Sequence, residues 1–189
     1  MADLVTDYAG RSLAEFLEGD GGLPEAYVVT PDFDWDKKPH PITIGKQVGR
    51  EMPYAGVLMI QDQDDPFTMS ANILRERSID FHVIIIGSSY TEMVQKTSDA
   101  KQALVSAVTP ITSGVGIVLW NFADPSGAFF SQAGTMQVEL APTQYFGASD
   151  QSEEGNRKYR SITPLTLSMF KDSTATLLEN TGRVSLTDS

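Results

Sequence analysis

The apolar positions of Ile79-Asp80-Phe81-His82-Val83-Ile84-Ile85-Ile86 alternate with polar ones at first, then run together, and the spacing changes at Gly87. A β-branched run of this length, stopped by glycine, predicts a central strand. Ile79, Phe81, Val83 and Ile85 share one face of it, and Asp80, His82, Ile84 and Ile86 share the other. The first face is therefore expected to be buried throughout, the second only towards Gly87. Beyond Gly87-Ser88-Ser89 the apolar residues Met93, Val94, Thr97, Ala100, Leu104, Ala107 and Val108 recur at spacings of three and four. They predict one long helix over 91–108, opened by a capping box from Ser89 to Glu92 and stopped by Thr109-Pro110.

The flanking segments supply the other elements. Leu4, Val5, Tyr8, Leu13, Phe16 and Leu17 form a helical stripe over 3–18 that Gly19-Asp20-Gly21-Gly22 ends. Gly10 inside it costs about 1 kcal/mol relative to alanine, so this helix depends on docking. Over 23–53, Tyr27-Val28-Val29-Thr30 and Ile42-Thr43-Ile44 suit short strands, which Pro24, Pro31, Pro39, Pro41 and Pro53 confine to edges or extended arms. Residues 55–61 read as a strand closed by an acidic turn, Asp62-Gln63-Asp64-Asp65-Pro66. Residues 72–86 read as one long strand or two consecutive ones, with Arg75-Glu76-Arg77 at a solvated end.

Further on, 115–122 has strand composition, with Ile117 and Leu119 on one face and Val118, Trp120 and Phe122 on the other, followed by the turn Asp124-Pro125-Ser126-Gly127. Residues 135–140 alternate Met136, Val138 and Leu140 with Gln137 and Glu139, so one face is expected to be wet. Residues 148–156 read as a small, polar loop. The last strand, 157–170, places Tyr159, Ser161, Thr163, Leu165, Leu167 and Met169 in one register; Pro164 requires an edge or a bulge. The resulting expectation is an α+β fold: a mainly antiparallel β-sheet packed against one long helix, with an N-terminal helix and extended arms. Residues 1–170 make a single domain, 23–53 are an irregular proline-rich insertion or arm, and 171–189 are a polar C-terminal arm.

Composition narrows the function. Of 189 residues 41% are apolar, enough for one core and not for two. Fourteen Lys and Arg against 25 Asp and Glu leave a formal charge of -11, which opposes any role that needs broad phosphate neutralisation. Such a surface suits a conduit along which DNA slides without specific binding. With no cysteine, disulfides, thiolate metal sites and cysteine nucleophiles are excluded, and a reducing compartment is the simplest expectation. The acidic start Met1-Ala2-Asp3-Leu4-Val5 does not resemble a signal peptide, and no apolar run approaches the roughly 20 residues that span a bilayer, so a soluble protein without membrane contact is expected.

No chemistry is singled out. Asp32-Phe33-Asp34-Trp35-Asp36 begins like a calcium loop, but Lys37 stands where the glycine belongs and Thr43 where the bidentate glutamate belongs. His40 lies between prolines, and His82 is read as a partly covered strand residue; neither has a metal-binding or triad context. Gly87-Ser88-Ser89 occupies the place of a phosphate loop between strand and helix, but two serines there read as caps. No catalytic, cofactor or metal residue is therefore assigned.

The order of 72–86 running through Gly87-Ser88-Ser89 into the helix 91–108, then strands 115–122, 135–140 and 157–170, resembles the tail terminator, or tail completion, proteins of tailed bacteriophages. The likeness covers roughly half the chain and rests on topology, since that family has no catalytic signature; the proline-rich 23–53 departs from it. It implies a structural virion protein: a homo-oligomeric ring, typically of six subunits, at the head-proximal end of the tail. Such a ring caps the tail tube, ends its polymerisation and meets the head connector or neck protein. It would assemble in the host cytoplasm. On physical grounds Tyr145, Phe146, Tyr159, Arg160 and the Pro164 edge, with the loop 148–156 and the tail after Lys171, are the candidate oligomer or partner interface. Competing readings are a head-closure, neck, baseplate or tail-tube protein, and more remotely a small hydrolase or a peptide-binding module.

Overall fold

A computed structural model describes residues 4–31, 52–69, 72–107, 116–122, 131–147 and 159–172. Among these residues the chain forms, in order, α1 (Leu4–Glu18), β1 (Glu25–Val29), β2 (Tyr54–Met69), β3 (Asn72–Gly87), α2 (Tyr90–Ser106), β4 (Ile117–Asn121), β5 (Ser131–Leu140), β6 (Gln144–Phe146) and β7 (Tyr159–Asp172). The strands make one sheet in the order β1-β2-β3-β7-β5-β4, with β6 beside β7. All pairs are antiparallel except β1 with β2. The expected strand Ile42-Thr43-Ile44, the acidic segment from Asp32 to Asp36, His40, the helix stop Thr109-Pro110, the turn from Asp124 to Gly127, the loop 148–156 and the tail after Asp172 lie outside the described residues.

β1 and β2 pair in parallel, so the connection between them is not a hairpin. A chain leaving the C-terminal end of β1 must travel back to the opposite end of the sheet, where β1 began, to start β2 in the same direction, and that takes a crossover of a dozen residues or more. β1 sits at the edge of the sheet, as its flanking prolines require.

The central strand behaves as its pattern predicts. Ile79, Phe81, Val83 and Ile85 are at most 2% exposed and form the main core with Leu13 and Leu17 of α1, Leu104 of α2 and Leu165 and Leu167 of β7. On the opposite face Ile84 and Ile86 are buried with Tyr27, Val29 and Tyr54, while Asp80 and His82 are half-buried. β7 keeps the predicted register, with Ser161, Thr163, Leu165, Leu167 and Met169 all buried. In β5, Met136 is buried and Gln137 and Glu139 are exposed, as the alternation requires.

The expectation of one long helix needs correction. Two helices of similar length, 15 and 17 residues, line the same face of the sheet. α2 lies against β3, β7 and β5, whereas α1 touches β1, β2 and β4. Contact with both end strands is possible because the sheet curls, which brings β1 and β4 to either side of α1. α1 also supplies the hydrogen bonds that a neighbouring strand would have made there. The Trp120 amide of β4 donates to Ser12 Oγ at 2.9 Å, and the Ala26 amide of β1 donates to Glu18 Oε1 at 2.9 Å. Gly10 is buried on the docked side, so the helix meets the sheet where its own propensity is weakest.

Four local expectations are also corrected. The acidic stretch from Asp62 to Pro66 is not a turn: β2 runs through it to Met69, paired along its length with β3, which is one continuous strand. Among the described residues β1 pairs only Tyr54 to Leu58 of β2, so the β1 ladder does not reach Pro66. Arg77 is not solvated but 5% exposed, and it binds Asp62 through two bonds, Nε–Oδ1 at 2.9 Å and Nη2–Oδ2 at 2.5 Å. Phe122 lies in the core, one residue past the end of β4, and Trp120 also packs against the core rather than on an outer face. The Phe122 ring packs on Tyr8, 5.8 Å between centroids, with the Arg11 guanidinium 4.1 Å from it.

Pro164 lies neither at an edge nor at a break in the β3 ladder, where it faces His82 in continuous register. Its carbonyl accepts from the Ala141 amide at 2.9 Å on the other side, so its missing N–H points to that side too, into the gap where β5 has ended and β6 has not begun. No ladder bond is lost there.

α2 opens as a shifted capping box. Ser89 is the N-cap and accepts from the Glu92 amide at 3.2 Å, but the Glu92 carboxylate reaches back to Ser88, taking its N–H at 2.8 Å and its hydroxyl at 2.7 Å. Gly87 is required by the close approach of this first turn: a Cβ there would lie 2.9 Å from the Met93 amide nitrogen. Deeper in α2, the Thr97 hydroxyl donates to the Met93 carbonyl at 2.7 Å and lies 2.7 Å from Ser161 Oγ, which ties the helix to β7.

Two outcomes follow from these contacts. Ser12→Ala removes an acceptor from the β4 edge and lowers stability by about 1 kcal/mol in urea unfolding. The Ser88 hydroxyl, helped by its N–H, holds the Glu92 carboxyl below its ordinary value. A carboxyl depressed in the folded state stabilises above its unfolded value, about 4.3, and loses that effect as pH falls through the folded value. Glu92→Gln therefore melts below the native chain at pH 7, by a small margin since the group is exposed, and the difference closes below about pH 4.

Candidate interaction surface

β6 forms only where the chain leaves β5 at Leu140 and passes Pro142 before pairing again with β7. The Thr143 hydroxyl, 3.0 Å from that of Thr163, holds the corner. This places Tyr145 opposite Ser161 and Phe146 opposite Arg160. The alternation of the strands then sorts the five predicted interface residues. Phe146, Arg160 and Pro164 share the face away from the helices, and Tyr145 and Tyr159 share the helix side.

Four of the five lie at one end of the sheet, on its two faces. The Arg160 guanidinium lies 5.0 Å from the Phe146 ring centroid, within cation–π range. Tyr159 meets Tyr90, the first residue of α2, edge-on with 6.1 Å between centroids. Tyr145 is 43% exposed and Tyr90 50% exposed, while Phe146, Tyr159 and Arg160 are half-buried. Pro164 does not join them; it is an interior residue of the ladder beside His82.

Sequence reasoning missed Tyr90, whose only signal is an aromatic directly after an N-cap. It also missed Met59 and Ile60, 42% and 48% exposed, at the register shift between Met59 and Gln61. No sequence pattern marks that bulge.

A rim of tyrosine, phenylalanine and arginine around partly covered rings has the composition of the anchoring residues in protein–protein interfaces. It has no nucleophile paired with a base, and among the described residues no three His, Cys, Asp or Glu side chains come together as metal ligands. His82 stands in β3 on the open face beside Asp80, whose carboxylate accepts from the Thr166 hydroxyl at 2.6 Å. No helix among the described residues is long and apolar enough to cross a membrane.

The fold is thus of mixed α+β class, a curled sheet lined by two helices with an aromatic rim at one end. No protein-family model matches the chain, and no curated protein matches it significantly.

Proposed function

We propose that this chain is a structural protein of a tailed-bacteriophage virion, a tail terminator whose copies form a ring, typically of six, on the last tail-tube ring. The ring stops tube polymerisation and offers its other side to the head connector or neck protein. It acts without catalysis or cofactor. DNA passes through it without specific binding, which suits a chain of formal charge -11.

The observation that carries this reading is the aromatic–arginine rim of Tyr90, Tyr145, Phe146, Tyr159 and Arg160. It stands at the end of a sheet whose terminal strands are already sealed by α1. A surface of this kind serves association better than turnover. It also agrees with the element order that resembles the terminator family.

The test is the mass of the purified protein alone and mixed with tail-tube subunits. A discrete ring that binds one tube end is expected. A chain that stays monomeric with and without tube subunits refutes the reading; a ring bound elsewhere in the particle moves it to a neck, head-closure or baseplate joint. Tyr145→Ala leaves the melting temperature almost unchanged, because the side chain is largely exposed, but weakens association by about 2 kcal/mol, roughly 30-fold, if the rim is the contact.

A further inference from the structure

Strand β6 is paired on one side. Gln144 and Phe146 face Ile162 and Arg160 of β7, and no strand among the described residues lies along the other side. The phase of the ladder decides which backbone groups that side offers. The Pro164 carbonyl turns towards β5 and β6, where it accepts from the Ala141 amide, so Ile162 and Arg160, at alternate positions before it, turn theirs the same way. Gln144 and Phe146 answer them, which directs the N–H and C=O of Tyr145 outwards. The Tyr145 side chain is exposed as well, on the face that also carries Tyr159.

The opposite face supplies a charge. Arg160 extends over the Phe146 ring, 5.0 Å from its centroid, and so reaches from β7 across β6 towards the open edge. Arg11 stands 3.9 Å from Asp7 and Arg77 is held by Asp62, but the Arg160 guanidinium meets no carboxylate among the described residues. Residues 141–147 carry no charged side chain of their own. A half-buried cation on a ring, beside an outward N–H and C=O, suits an edge that takes an extended peptide: main-chain bonds hold the peptide and its alternate side chains are selected.

We propose that the outer edge of β6 binds an extended acidic segment of another protein as an added strand, with a carboxylate of that segment on Arg160. This rests on the reading of the rim as an association surface and names the chemistry of what it takes. In such a strand the residue opposite Phe146 lies on the Arg160 face, and its neighbours lie on the Tyr145 face. The segment is therefore acidic at one position and apolar at the positions on either side. Charge decides against a second copy in this place. Two β6 edges laid together bring two guanidinia towards each other, with no carboxylate on either edge to separate them.

The test uses end-blocked, fluorescein-labelled Thr-Val-Glu-Val-Thr, read by anisotropy against the full chain. Saturable binding is expected, with the lysine counterpart Thr-Val-Lys-Val-Thr about tenfold weaker. Methylation of both valine amides, which point to β6 in the added strand, should abolish binding, whereas methylation of the glutamate amide, which points away, should leave it intact. Arg160→Gln should bind the two peptides equally and Arg160→Glu should prefer the lysine peptide, an inversion that lost packing alone does not produce. Equal binding of both peptides by the native chain, tolerance of the valine methyl groups, or no binding overturns the proposal. Mass measured with and without the peptide separates this from the ring reading. A ring that binds the peptide supports both, a ring that ignores it refutes only the acidic segment, and a monomer that binds it refutes only the ring. A ring that the peptide takes apart assigns the edge to a second copy and overturns the proposal.

Discussion

Two hydrogen bonds from one helix to the two ends of the sheet hold this fold in shape. A curled sheet that does not close leaves unpaired amides on both terminal strands, and buried amides without acceptors cost more than the bonds they would form contribute. Ser12 and Glu18 face β4 and β1 from successive turns of α1 and accept from both. The helix thereby acts as the missing strand, while Tyr8, Leu13 and Leu17 fill the space inside the curl. An amphipathic helix of 15 residues with a glycine in its middle would be marginal alone. Docked in the seam, it is stabilised by the strands that it seals.

β3 and β7 form the spine that the rest hangs from. Their shared face is apolar and lined by both helices, and their other face changes from apolar near Gly87 to polar near Ser78. The polar half is paired across the two strands, Asp80 with Thr166 and Ser78 with Ser168. Such pairs satisfy side chains locally and need no further layer above them. The distal β2–β3 hairpin extends this spine past the end of β1 and is braced at its base by Arg77 and Asp62.

The aromatic rim follows from the same geometry. Pro164 stops β5 and β6 from being one strand, and the corner that results presents Tyr145 and Phe146 to β7. The Ser88–Ser89–Glu92 cap sets the start of α2 so that Tyr90 reaches Tyr159. Residues spread over 70 positions of sequence therefore converge because a proline and a helix cap each end an element at a defined place. Under the proposed reading, these ends are where copies of the chain meet each other and the tail tube.

The sequence by itself determined the elements whose burial follows a simple period. These are both helices, the two-faced central strand, β5 and the register of β7, because side-chain spacing alone decides which face meets the core. Only the tertiary structure decided what depends on neighbours. Residues 62–65 read as a turn until the backbone of β3 pairs with them and Arg77 binds Asp62. Pro164 reads as an edge residue until the gap between β5 and β6 falls beside it, and Phe122 reads as outward until α1 brings Tyr8 against it past the end of β4. Nor does any local pattern reveal that Ser12 and Glu18 serve strands 108 and 8 residues away, since a hydrogen bond between elements exists only after both have been brought together. Of the interface residues, composition marked Tyr145, Phe146, Tyr159 and Arg160, but the contacts of Tyr159 with Tyr90 and of Arg160 with Phe146 are a product of packing, which linear spacing does not encode.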